Sequence, residues 1–141
     1  MRASETGAAL VTVYANGRLE SVAYHKHDGG EAYMVPLLRQ AVRYAKTHYD
    51  DGDILKILLS EGEMQCVPVE NLKAFIRDTD VRHVYTVAYR WNAETGRKAY
   101  AASVNHLGEK TRLTDVPGTV DADSWRTVIP GNVIPLTRKR A

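Results

Sequence analysis

Val81-Arg82-His83-Val84-Tyr85-Thr86-Val87-Ala88-Tyr89-Arg90-Trp91 is the most regular stretch of the chain. Its odd positions read Val, His, Tyr, Val, Tyr, Trp, and its even positions read Arg, Val, Thr, Ala, Arg. An alternation of period two predicts a strand that buries one face and wets the other, as antiparallel strands commonly do. Asn92-Ala93-Glu94-Thr95-Gly96 then reads as a turn closed by glycine, with residues 97–104 returning as the partner strand. A further strand is expected over residues 110–114.

Upstream, the β-branched and aromatic run Ala8-Ala9-Leu10-Val11-Thr12-Val13-Tyr14 leads into Asn16-Gly17. That dipeptide is a strong hairpin signal because both residues tolerate positive φ. Residues 18–26 continue as the second strand until Asp28-Gly29-Gly30 breaks it. Met34, Leu37, Leu38, Ala41, Val42, Ala45 and Tyr49 recur at steps of three and four, which predicts a helix over 33–48. Pro36 is tolerated only in a first turn, so the helix is expected to begin near Val35. A second hairpin is expected from residues 54–59 and 64–69, followed by a short helix over 70–77 that turns Leu72, Phe75 and Ile76 inward. The reading is an α+β fold: an antiparallel sheet with two helices packed on it, in the order ββα-ββα-βββ. One domain is expected over 1–120, with a short helix and an extended, partly disordered basic tail over 121–141.

Composition limits the function classes. The 141 residues carry a net charge of +2, too small for a chain that coats nucleic acid by charge alone. Of the 19 cations, 12 are arginine, whose planar fork suits phosphate and carboxylate, although a GC-rich genome enriches arginine too. No apolar run approaches the ~20 residues of a membrane span, and the first residues lack a signal-peptide core. The single cysteine, Cys66, has no internal disulfide partner. A cytoplasmic protein is expected, with no membrane contact. Cys66 lies in an apolar strand context and reads as a small core residue.

Three groups of residues could carry chemistry. His25 and His27 flank Lys26, and two-residue spacing on a strand puts both imidazoles on one face, where they could share a metal. The alternative is a solvated strand end. Gly29-Gly30 ahead of a helix could form an anion nest or a plain turn. Arg82 and Arg90 share one face of the alternating strand, Arg97 lies on its partner, and Tyr85, Tyr89 and Trp91 share the opposite face. Arginines could hold phosphate there while tyrosines stack bases. The other reading, which alternating strands usually follow, makes the aromatic face core and leaves the arginines solvated. No Walker loop, G-x-G-x-x-G or G-x-S-x-G occurs.

Tyr24-His25-Lys26-His27-Asp28-Gly29-Gly30, followed by Pro36-Leu37-Leu38, resembles a segment of small bacteriophage and actinobacterial proteins. In those proteins a strand ends in a His-x-Asp-Gly turn and a proline opens a leucine-rich helix. Asp80 to Tyr89 is similar to their later tyrosine-rich strand. The tyrosine-proline that usually follows the Asp-Gly is missing here. The resemblance implies a phage or mobile-element setting and carries no chemistry with it. The expected function is a non-enzymatic binding protein, such as an anti-defence factor, that sequesters a nucleotide-like anion through Arg82, Arg90, Arg97, Tyr85 and Tyr89, with no cofactor. Alternatives are a protein-binding inhibitor of a host complex, a metal-dependent enzyme at His25 and His27, and, least favoured, a nucleic-acid binder. Open sheet edges make a homo-oligomer plausible.

Overall fold

The computed structural model describes residues 7–27, 29–47, 54–92, 94, 96–106, 109–118 and 132–133. Chain order is β1 (Ala8–Ala15), β2 (Arg18–His25), α1 (Glu31–Thr47), α2 (Ile54–Ser60), β3 (Gln65–Val67), a 3-10 turn (Val69–Asn71), α3 (Leu72–Asp78), β4 (Val81–Asn92), β5 (Arg97–His106), a second 3-10 turn (Leu113–Asp115) and β6 (Asn132–Val133). The α+β class holds. The strands form one sheet in the order β3-β2-β1-β4-β5-β6.

The sheet is mixed, which corrects the antiparallel expectation. β1 and β4 run parallel in the middle, from Ala8 opposite Val81 to Ala15 opposite Tyr89. The other pairings are antiparallel. The local signals were sound: Asn16 and Gly17 take φ of 50° and 88° and close the first hairpin, and β4 and β5 form the second. Alternation shows which face a side chain takes but carries no information on which distant strand lies alongside.

The parallel pair explains a second difference. β4 is covered on both faces from His83 to Ala88, as strands at the centre of α/β layers are. On one face Tyr85 and Val87 pack with Val11 and Val13 of β1 beneath Met34, Leu38 and Val42 of α1 and Ile57 and Leu58 of α2. On the other, Val81 and Val84 pack with Leu10 and Val22 beneath Leu72 and Ile76 of α3 and Val116. Thr12 and Thr86 face each other on this second side, and their hydroxyls lie 3.4 Å apart.

Residues 54–59, expected as a strand, begin helix α2. Ile54, Ile57 and Leu58 are buried at steps of three and four while Lys56 is exposed. A short apolar run fits either period, and the isoleucines favoured the wrong one. Of the expected partner strand over 64–69, only Gln65–Val67 forms a strand, and it pairs with β2. Helix α1 starts at Glu31, so Pro36 is its sixth residue and breaks a bond within the second turn, on an exposed flank. Residues 72–78 form the expected helix.

No strand occupies 110–114. Residues 109–118 instead run across the second face as a strap. Thr111 N–H donates to Val81 O at 2.8 Å, the Tyr14 hydroxyl donates to Pro117 O, and Leu19 N–H donates to Gly118 O at 3.0 Å. Asn132–Val133 pairs with Val104 and Ser103 at the far edge. The helix expected after Ser124 and most of the expected basic tail lie outside the described residues. No helix among the described residues is long and apolar enough to cross a membrane.

Candidate ligand site at the carboxyl end of the central strands

The hairpin turn at Asn16-Gly17 sets Arg18 opposite Ala15 and Leu19 opposite Tyr14, but Ser21 opposite Val13. Glu20 is therefore an extra residue, a β-bulge. The bulge resets the alternation and puts Glu20 on the helix α1 face, with Arg18 two residues before it. Across the sheet, Ala15 opposes Tyr89 of β4, and Tyr89 opposes Tyr100 of β5. Arg18, Ala15, Tyr89 and Tyr100 thus form one row over four strands. The Tyr89 hydroxyl crosses the small Ala15 and donates to the Glu20 carboxylate, at 3.0 Å from Oε2 and 3.1 Å from Oε1. Its ring lies 5.5 Å from that of Tyr100. Tyr44 of α1 packs against the same core cluster. Asn16 N–H donates to Tyr89 O at 2.9 Å and ties the turn to β4.

The five arginine–tyrosine residues separate. Tyr89 and Arg90 lie at this end, half-buried, on opposite faces of β4. Arg97 joins them by register, opposite Asn92. Arg82 sits eight residues from Arg90 on the same strand, roughly 26 Å away. There it makes a forked pair with Asp80, Nε to Oδ1 at 2.9 Å and Nη2 to Oδ2 at 3.4 Å. Tyr85 is fully buried and donates its hydroxyl to Gly29 O at 2.7 Å. Burial, reinforced by the charge of Glu31, pushes that phenol well above its ordinary value. The sequence alone did not point to Arg18, Glu20 and Tyr100. Asn16-Gly17 placed Arg18 opposite Ala15, but nothing local announces the bulge or the strand beyond.

His25 and His27 do not align along one strand. β2 ends at His25, and His27 lies in the bend beyond it, exposed. The His25 ring meets the His27 carbonyl through Nδ1 and tilts against Tyr33, with ring centroids 5.0 Å apart. Ala9 separates His25 from the buried His83 in the same row. Gly29 packs over Ala9: a Cβ on Gly29 would lie 3.1 Å from that of Ala9. Among the described residues, no three histidine, cysteine or acidic side chains are grouped to hold a metal. Gly30 opens α1, its carbonyl accepting from Met34 N–H at 3.0 Å, while Gly29 N–H donates to Gly7 O at 2.9 Å. Cys66 is exposed, contrary to its reading as a core residue, because it lies on the outermost strand β3.

Compared with family models, curated proteins and solved structures, the chain matches none.

Proposed function

We propose that the chain is a binding protein for a nucleotide-like anion, held at the carboxyl end of β1 and β4. The observation that carries this reading is the row that sets exposed Arg18 and half-buried Tyr89 on one face at the end of one parallel strand pair, with buried Tyr100 behind Tyr89, Arg90 on the opposite face and Arg97 at the same end by register. A guanidinium fork fits phosphate oxygens, and the half-buried ring of Tyr89 offers an edge and face to a base. The position supports it as well. The chain leaves β1 toward β2 on one side and leaves β4 toward β5 on the other. In open sheets with parallel strands, ligands favour the carboxyl ends at such a switch point. The reading is one of capture without turnover. With the phage-like segment at 24–38, capture would remove a signalling nucleotide from a host defence. Isothermal calorimetry against linear and cyclic nucleotides tests it. Micromolar binding that Arg18→Ala weakens supports it, and absence of heat with every nucleotide overturns it.

A second reading rests on β3. This outermost strand has only β2 beside it among the described residues and exposes Gln65 and Cys66. A protein partner could add a strand there. Substituting Gln65 by proline would abolish such a complex and leave nucleotide binding unchanged.

A further inference from the structure

We infer that Glu20 makes this end selective for guanine. The inference deepens the nucleotide reading above and rests on it. The Tyr89 hydroxyl is almost equidistant from the two Glu20 oxygens, at 3.0 and 3.1 Å, so the carboxylate presents its forked edge over Ala15. Glu20 is exposed, and the bulge turns it to the face of the sheet that carries Tyr89. A carboxylate is an acceptor only.

Among the common bases, guanine is matched to that edge. Its N1–H and 2-amino group are adjacent donors, spaced to meet two carboxylate oxygens in parallel. Adenine sets the acceptor N1 beside its 6-amino group. Cytosine sets the acceptor N3 beside its 4-amino group. Uracil carries one donor between two carbonyls. Each of these turns a lone pair toward the carboxylate, and that repulsion discriminates as strongly as the attraction does. The Tyr89 hydroxyl is the native stand-in for the base. A guanine that displaces it replaces one charge-assisted bond with two. Arg18, on the same face of β2, offsets the Glu20 charge for an incoming phosphate.

Calorimetry of the full chain with GMP, IMP, AMP and inorganic phosphate tests this, using wild type and Glu20→Gln. IMP keeps N1–H but lacks the 2-amino group. The expected order is GMP tighter than IMP by at least about tenfold, with AMP weaker again. The side-chain amide of the Glu20→Gln variant offers one acceptor and one donor, the complement of adenine, so this substitution is expected to move the preference from GMP toward AMP. Equal affinity for GMP and AMP in wild type, or an unchanged preference in Glu20→Gln, overturns the guanine inference and leaves the nucleotide reading intact. Absence of heat with all three nucleotides overturns both.

Discussion

The hydroxyl of Tyr85, in the middle of β4, donates to the carbonyl of Gly29 at 2.7 Å, joining the sheet to the turn that launches α1 across 56 residues of sequence. Tyr85→Phe keeps the ring and strands a buried carbonyl. The expected loss is about 1–2 kcal/mol of unfolding free energy, read from the urea midpoint with an unchanged slope.

Two buried phenols set an alkaline limit. Burial raises the Tyr14 pKa from its ordinary 10.0 to about 12, and Tyr85 is raised as well. A phenol whose folded pKa exceeds its unfolded one contributes stability that is full below the unfolded value and is lost as pH climbs through the folded one. Stability should therefore be insensitive to these groups up to about pH 10 and fall between about pH 10 and 12. Chemical denaturation across that range checks the fall, and Tyr14→Phe should flatten part of it while costing stability at neutral pH through its lost bond to Pro117.

Glycines at 29, 62 and 96 should respond differently to alanine. A Cβ on Gly29 would lie 2.1 Å from Gly7 O, and one on Gly62 would lie 2.7 Å from Leu58 O and 2.6 Å from Leu37 Cδ2. Backbone cannot yield as a flexible side chain can, so each should cost about 3 kcal/mol or more, at the upper end of overpacking. Gly96 has φ of +65° and open space around it, so its alanine variant should lose only about 1–2 kcal/mol. Thermal unfolding of the three variants ranks them.

The helical state of residues 54–60 has a simple signature. Ile57 and Leu58 are consecutive and both buried. Ile57→Ala and Leu58→Ala should each cost about 2–5 kcal/mol, with Lys56→Ala near neutral. A half-buried strand would turn one of the two neighbours outward and make its truncation mild, so a mild effect at either site would contradict the helix.

Arg82 and Arg18 should behave differently toward a nucleotide. Arg18→Ala is expected to weaken binding at least about tenfold, by loss of a charge-assisted contact. Arg82→Ala, at the other end of β4 with its fork on Asp80, should leave affinity unchanged and alter stability by less than about 1 kcal/mol, as exposed pairs do. Equal losses from both would place the site elsewhere.

The sequence by itself determined the elements whose signals are local. Positive φ at Asn16 and Gly17 closed the first hairpin, the stripe from Met34 to Ala45 made α1, Leu72 and Ile76 turned α3 inward, and alternation made β4 with its partner β5. These signals act within a few residues, through dihedral freedom and side-chain period. Tertiary structure decided what depends on a distant neighbour. It set β4 parallel to β1, covered both faces of a strand that reads as half-buried, and resolved the ambiguous run 54–59 as a helix. It also carried Arg82 away from Arg90, because one extended strand cannot fold back on itself. Glu20 met Tyr89 only because a bulge shifted one register by a single residue and the strand that carries Tyr89, 69 positions later, lay on the other side of β1 with only the small Ala15 between. No short window of sequence contains that pairing, since it is set by the energy of the whole packed sheet.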